Sequence, residues 1–515
     1  MSPVRLAYKV HSWAGLLTGW LLFVLCLTGT IVVYKYPLKA FSNASMAPAS
    51  ATADIGPDRV LAAFRAQHPD HRVSVVAFPS DTYSIHQYSI LAFSPQNKRD
   101  RYWIDPSNGA VREELESDFA DFVQRLHATL YFGAKPGRVI VGVLGVLMLA
   151  SIVSGLVFHW RRLRKDLFHL RLNAHARKAW SDVHKAVGVW TLPFAVIIAL
   201  TGAWLGLEVV IKVPPGASAP LELKGDGGKG QPLLISRYLA HAQALRPDLS
   251  PSHINFTQYG VAGATVRVQG DLPGWRLVQR GQTMLVFDAD SGRPLQTVDR
   301  TQQGVGRYLL ASARPLHYGY FGSGWSEALY FILGGVSTIG VLSGLVIWTE
   351  REKRKTHPQA GAEVGTVMER ANVAVMGGLI AALTIMAALN AAARAGVGET
   401  FFGLLGGLDF TGSQDLLAKA PQAIELSVFG AIWLALGLVF ALLRPVQAWC
   451  ACLIATAVLL VSTLVLTVVS VGGVSPFFNR PDGEGVGLAI VCLCLAGFSG
   501  AVARRLTRAQ KTSQT

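Results

Sequence analysis

The sequence predicts a polytopic α-helical membrane protein in which duplicated two-helix units form a four-helix bundle. Two α+β half-domains outside the membrane and about four further C-terminal helices complete the expected fold. Three observations support this fold class. Hydrophobic residues make up 51% and charged residues only 15% of the 515 residues, a balance typical of chains that lie largely in lipid. Eight apolar stretches are each about 20 residues long, enough to cross the hydrocarbon core as a helix. Motifs that contain histidine and glycine recur in the same order, which indicates a tandem duplication.

The apolar stretches divide into four that carry the repeated motifs and four that follow them. The first stretch is longer than the apolar region of a signal peptide and lacks a small-residue cleavage site, so we expect it to remain as an anchor. The predicted spans lie near residues 12–34, 138–160, 186–210, 326–348, 371–393, 423–443, 447–471 and 486–503.

Two motifs carry the duplication. The first reads Val-His-x3-Gly and runs on to Thr-Gly, and it occupies residues 10–29 and again 183–202. The second begins with Leu-His, passes through Tyr-Phe-Gly and ends in Ser-Gly-Leu-Val, and it occupies residues 126–157 and 316–346. Each unit therefore carries one copy of each motif, which places one histidine near each membrane face.

Basic residues set the predicted orientation, because Lys and Arg near the ends of helices stay in the cytoplasm. Four basic clusters, near residues 5–9, 160–178, 351–355 and 504–511, fall on the same side of the predicted spans. We therefore expect both termini in the cytoplasm and two long loops on the opposite side. The formal net charge of +15 follows from this topology and from contact with the lipid bilayer, and no nucleic-acid partner is expected.

The expected domain organisation alternates helices with loops. The two long loops share a pattern of one helix, at 60–67 and 234–244, followed by strand-like runs and a hairpin turn flanked by Asp and Gly. The duplication thus predicts two small α+β domains that pack as a pseudo-symmetric pair. The expected segments are transmembrane helices 1–35, 126–162, 184–210 and 313–350, half-domains 36–125 and 211–312, cytoplasmic segments 163–183 and 351–370, a four-helix extension 371–503 and a tail 504–515.

Four histidines are the candidate haem ligands: His11, His127, His184 and His317. An ionisable ring at membrane depth is costly and is usually retained for function, although a hydrogen bond to a neighbouring helix is the simpler alternative. A two-fold axis along the membrane normal would pair His11 with His184 near the cytoplasmic face and His127 with His317 near the outer face. Such pairs are suited to two b-type haems per chain. A hydrocarbon core of about 30 Å would then separate the irons by roughly 20 Å.

Small residues accompany the inner histidines on the same helix face. They lie four and seven residues further along, where they would leave room for a flat macrocycle. Stripes of Gly and Thr also serve close helix packing, which is the alternative interpretation. These residues are Gly15 and Thr18 after His11, and Gly188 and Thr191 after His184.

Three further residues belong to the candidate sites. His159 ends the second predicted span and is an alternative ligand for the inner site. Arg125 and Arg314 lie just before the outer histidines. Each is expected either to pair with a haem propionate or to anchor the chain at the membrane interface.

The motifs and the paired outer domains resemble the PepSY-associated transmembrane family over about residues 1–355. That family includes iron-regulated proteins of the bacterial inner membrane that act as ferric-siderophore reductases. The resemblance implies a haem b oxidoreductase that delivers electrons to ferric siderophore in the periplasm and releases Fe(II), with no catalytic residues beyond the haem ligands. The sequence leaves the electron donor open between a cytoplasmic reductant and a quinol.

Two alternatives from other classes remain at this stage. The outer domains resemble modules that restrain peptidases, so the chain could be a membrane-anchored regulator that binds a periplasmic protein. Eight helices could also form a permease for a siderophore or its iron, although the apolar character of the spans at mid-membrane counts against this.

The extension 371–503 departs from the family pattern because it has no histidine. It is expected to supply a quinol site, a dimer surface or packing for the bundle.

Overall fold

In a computed structural model, the chain divides into two units. The membrane unit comprises Met1–Leu38, Ser117–Val210 and Ala328–Thr515, and the sheet unit comprises Lys39–Glu116 and Ile211–Glu327. The structure describes residues 2–43, 46, 54–80, 85–114, 118–162, 170–171, 175–211, 221–274, 277, 283–299, 304–322, 324–353, 358–395, 421–471, 473 and 484–512.

The described helices are numbered in chain order. A π-helical turn spans Val373–Gly377, and a 3-10 turn spans Trp160–Arg162. The helices are α1 (Pro3–Val32), α2 (Lys35–Ser42), α3 (Pro57–Gln67), α4 (Phe119–Thr129), α5 (Ala134–His159), α6 (Ala176–Trp190), α7 (Leu192–Leu207), α8 (Ile235–Leu245), α9 (Val305–Tyr318), α10 (Gly324–Glu352), α11 (Pro358–Asn372), α12 (Gly378–Arg394), α13 (Pro421–Leu442), α14 (Pro445–Ser470) and α15 (Glu484–Thr512).

The helices confirm a polytopic membrane protein. Among the described residues, seven helices are long and apolar enough to cross a membrane, or eight when one bent pair is counted as a single span. The bent pair is α6 and α7, whose axes differ by 70°. The break falls at Thr191, just before Pro193 at the start of α7, where the missing N–H of proline costs least. The predicted third helix, 184–210, is therefore two helices rather than one.

The predicted helices 126–162 and 313–350 are also divided. His127 lies on α4, which ends at Thr129 before α5 begins, and His317 lies on α9, which ends before α10 begins. The residues that follow α4 and α9, Leu130 and Gly319, are left-handed, with φ of 48° and 77°. A left-handed residue ends an α-helix, so the outer histidines lie on short helices that precede the spans.

The sheet unit contains one eight-stranded antiparallel sheet. Its order is β4-β3-β2-β1-β5-β6-β7-β8, so the two halves of the sheet join through β1 and β5. This join agrees with the pseudo-symmetric pair that the duplication predicts. The strands are β1 (Arg72–Ala77), β2 (Tyr88–Phe93), β3 (Arg99–Ile104), β4 (Val111–Glu113), β5 (Ser250–Phe256), β6 (Thr265–Asp271), β7 (Thr283–Asp288) and β8 (Pro294–Val298).

The core of the sheet unit lies between the sheet and the helices α3 and α8. Phe64 of α3 and Tyr238 of α8 are fully buried against strand residues such as Val76 and Ile254, which pair across the β1–β5 join. Both halves thus use the same layering of one helix on four strands. The burial of these apolar side chains is the main force that holds the layers together.

Candidate functional site

A cavity of about 380 Å³ lies within the membrane unit, among α1, α5, α6, α7 and α10. Such a volume falls within the range of pockets that hold drug-sized ligands, about 300–1,000 Å³. Most of its wall consists of apolar side chains and glycines. Three histidines also line it: His11, His159 and His184. The cavity therefore contains the predicted inner pair and the predicted alternative ligand.

His11 and His184 face each other across this cavity. Their ring centroids are 5.9 Å apart, and the ring planes are inclined by 68°. The two histidines that the duplication relates therefore lie next to each other in the folded chain. Two imidazoles from different helices that face each other in an apolar cavity are suited to bind one metal centre from both sides.

Hydrogen bonds fix the tautomer of both rings. Nδ1 of His11 lies 2.8 Å from the carbonyl oxygen of Ser151, and Nδ1 of His184 lies 2.9 Å from that of Gly340. Because a carbonyl oxygen can only accept, Nδ1 of each ring carries the proton and donates it. The lone pair of Nε2 is then available to a metal, and the carbonyl partner orients the ring, as in many histidine metal sites.

Each of these rings rests on a glycine of the neighbouring helix. A Cβ atom placed on Gly155 would lie 3.1 Å from Cε1 of His11, and one placed on Gly344 would lie 3.3 Å from Cε1 of His184. Both glycines belong to the Ser-Gly-Leu-Val motif, and each lies four residues after the carbonyl that accepts from the ring. The recurrence of Gly in this motif thus has a steric reason, since a larger residue would displace the imidazole.

His127 has the same arrangement at a separate place in the membrane unit. Its Nδ1 lies 3.0 Å from the carbonyl oxygen of Leu25, and a Cβ atom on Gly29 would lie 2.8 Å from its Cε1. Gly29 ends the Thr-Gly motif, and Leu25 again lies four residues before the glycine. Three of the four predicted ligands therefore share one geometry: a glycine under the ring and a backbone carbonyl on Nδ1.

The predicted small residues divide into those that line the cavity and one that does not. Gly15, Gly188 and Thr191 line it, and a Cβ atom on either glycine would have no neighbour within 4 Å. The open space at both glycines is consistent with a flat ligand that lies against both helices. Thr18 is not among the residues that line the cavity; it is buried, and its hydroxyl donates to the carbonyl of Ala14 at 2.7 Å.

The sequence analysis did not identify the cations of the cavity or the tyrosine beside them. Tyr8, Lys185 and Arg351 line it, and the Arg351 guanidinium donates to the Tyr8 hydroxyl at 2.5 Å. The positive charges of Lys185 and Arg351 would favour the carboxylates of a ligand such as haem. Lys185 follows His184 directly and could have been found from that position, whereas Tyr8 and Arg351 are too far apart in sequence to suggest a pair.

The remaining predicted residues lie on α4 and α9. His317 is in the last turn of α9, where its ring centroid lies 5.8 Å from that of Tyr318, and Arg314 is three residues earlier on the same helix. Arg125 lies on α4. Burial raises the pKa of the Tyr131 hydroxyl, Glu425 raises it further and Arg125 opposes the rise, so Arg125 lies close to this hydroxyl.

The donor set fits haem better than a bare metal ion. Among the described residues, no group of three or more His, Cys, Asp or Glu side chains could hold a metal ion. Haem supplies four equatorial nitrogens of its own and needs only axial ligands from the protein. Two facing imidazoles with free Nε2 atoms, an apolar wall and nearby cations meet that requirement.

Comparison with known proteins relates the chain to one family. A family model described as the PepSY-associated TM region matches residues 8–351, which include all four motif histidines. An uncharacterized protein of Pseudomonas aeruginosa is 28% identical over 290 residues, which cover 52% of this chain and 71% of that relative. The family match ends before the C-terminal extension begins.

Proposed function

The chain belongs to the PepSY-associated transmembrane family, and from that membership we propose that it is a di-haem b reductase for ferric siderophores or similar ferric chelates. One observation carries the proposal. His11 and His184 lie beside each other in one cavity, and Nδ1 of each ring donates to a backbone carbonyl, which leaves the lone pair of each Nε2 as the metal-binding atom. A packing role alone would not require two histidines in such matched geometry.

The residues of the chain hold and orient the cofactor in this proposal. His11 with His184, and by the repeat His127 with His317, would each hold one haem. Haem supplies one-electron transfer when it is bound. The glycines under the rings set the ring positions, and the apolar wall excludes water, which favours low-spin haem with tightly held ligands.

Charged residues near the sites provide a place for the propionates. Lys185 and Arg351 serve the cavity of His11 and His184, and Arg125 and Arg314 serve the histidines of α4 and α9. A guanidinium can bind a carboxylate through two parallel hydrogen bonds, which fixes its orientation as well as its charge.

The proposed location is the bacterial inner membrane. Both termini lie in the cytoplasm, because the basic clusters at the ends of the predicted spans agree on that side. The sheet unit then lies in the periplasm, where a ferric siderophore would arrive. An electron from a cytoplasmic reductant or a quinol would have to cross the bilayer to reach it, and two haems at different depths suit that task.

The chemistry of release follows from the preference of siderophore oxygens for hard Fe(III). Addition of one electron gives Fe(II), which these oxygens bind much more weakly. The chelate itself is unchanged, so the reaction needs no general acid, base or nucleophile from the protein.

A direct test uses the purified protein, reduced anaerobically and mixed with a ferric siderophore. We expect the absorbance bands of the reduced protein to decay, and a ferrous-iron indicator to gain one Fe(II) for each electron lost. The gallium(III) complex of the same siderophore is the control, because it has a similar shape and charge but is not reduced. Equal decay with both complexes, or no decay with either, would contradict the proposed substrate class.

A further inference from the structure

The C-terminal extension packs against the helix that carries His127. A single buried cluster joins Phe122, Val123 and Leu126 of α4 to Met376, Leu379 and Phe429 of the extension. The family match stops at residue 351, so the family region alone does not supply this side of α4. The extension therefore covers one face of the helix that carries His127.

Phe429 makes the closest described ring contact of the extension with α4. Its side chain is 2% exposed, and its ring centroid lies 5.1 Å from that of Phe122. The ring of Phe122 lies in turn 5.5 Å from that of Tyr131. A continuous row of aromatic rings thus leads from the extension to the turn that follows His127.

That turn has an unfavourable backbone conformation. Leu130 and Tyr131 both have positive φ, at 48° and 59°, a region that side chains with a Cβ atom rarely adopt. In the second repeat the residue before the equivalent tyrosine is Gly319, with φ of 77°, where glycine adopts the conformation without strain. The first repeat therefore needs packing to hold a turn that the second repeat forms with glycine.

Hydrogen bonds also connect the extension to α1 and α10. The indole N–H of Trp20 donates to Oδ1 of Asn372 at 2.9 Å, and Nδ2 of Asn372 donates to the hydroxyl of Thr349 at 3.1 Å. Asn372 is 3% exposed and directly precedes the π-helical turn that leads into α12. These bonds connect the extension to α1 and α10, which fixes the surface that α4 packs against.

We propose that the C-terminal extension is a positioning element for His127, with Phe429 as its main contact. Phe429 holds Phe122 and the turn at Leu130 and Tyr131 in place. The His127 ring is thereby kept on Gly29, with its Nδ1 donating to Leu25. The proposal rests on the proposed function, in which His127 is a haem ligand, and it assigns the extension to the outer haem rather than to the cavity of His11 and His184.

The test compares Phe429→Ala with Leu434→Ala in the full-length protein. Leu434 lies on the same helix and is 66% exposed, so its truncation controls for loss of apolar volume on α13. Haem content, the low-temperature electron paramagnetic resonance spectrum and the two midpoint potentials are measured. We expect Phe429→Ala to shift or remove the low-spin signal and potential of one haem only. Leu434→Ala should leave both unchanged, and Phe429→Leu should restore most of the signal.

Several outcomes would overturn the proposal. Phe429→Ala with both haem signals at their original positions would show that the extension does not position His127. Equal loss of both haems, in a variant that still elutes as a single species, would show a general role in folding instead. A wild-type protein without haem would contradict the proposed function itself, so the two failures are distinguishable.

Discussion

Replacement of His184 by alanine is expected to lower the haem content from about two per chain to about one. The imidazole of His184 faces His11 in one cavity, with ring centroids 5.9 Å apart. A haem held there loses one of its two axial ligands in the variant. His11→Ala should have the same effect, because both rings serve one site. The measurement is haem quantification per chain, together with the low-spin band of the reduced protein.

The matched control for these variants is His175→Ala. His175 is exposed and lies at the N-terminal boundary of the same helix, α6, so its loss should leave the haem content unchanged. His159→Ala tests the alternative ligand, since His159 lines the same cavity. Loss of one haem in His159→Ala but not in His11→Ala would transfer the ligand role to His159. Two full haems in both His11→Ala and His184→Ala would contradict the proposed inner site.

The second large effect is expected at His127 and His317. The duplication pairs these two residues, so His127→Ala and His317→Ala should each remove the same haem and leave the one at His11 and His184. The double variant should lose no more haem than either single variant, because two ligands of one site are not additive. Midpoint potentials identify which of the two haems remains in each variant.

The result that would contradict the outer pairing is equally clear. If the double variant lost twice as much haem as a single variant, the two histidines would belong to different sites. If either single variant retained both haems with unchanged spectra, that histidine would not be a ligand. Gly29→Ala provides an independent check, because its Cβ atom would lie 2.8 Å from Cε1 of His127 and should disturb the same haem.

The inner pair could be predicted because the duplication carries the information. Two copies of one motif related by a two-fold axis bring equivalent residues together when these lie near the axis, and His11 does lie beside His184. The glycine of the Ser-Gly-Leu-Val motif also recurs at Gly155 and Gly344, although its role under the imidazoles became clear only from the distances in the structure. The repeated motif thus predicted that His11 and His184 are neighbours, and the structure explained why the glycine of the motif recurs.

The divisions within the predicted spans were missed for a physical reason. The hydropathy of residues 184–210 is continuous, so it does not reveal the 70° bend at Thr191. Pro193 could have indicated the bend, because proline commonly kinks or interrupts a helix. Gly133 and Pro136 gave a similar signal near the end of α4. The left-handed conformation of Leu130 was not predicted, because residues with a Cβ atom rarely adopt it.

Contacts between distant parts of the chain could not be predicted from the sequence either. Examples are the pairing of β1 with β5 and the contact of Tyr8 with Arg351. Both join parts of the chain that are far apart in sequence, and neither follows from local pattern. The duplication indicated that the half-domains pair, but not that they share one continuous sheet. The contact of the extension with α4 belongs to the same class, because it depends on the complementary shapes of distant apolar surfaces.

The central claim is that the motif histidines hold haem. The most direct measurement is the dithionite-reduced minus oxidised visible spectrum of the detergent-purified protein, expressed with ample haem and quantified per chain. The account predicts sharp low-spin b-type bands from about two haems per chain. A colourless protein under these conditions would contradict it and would leave the four histidines as packing residues of a regulator or a permease.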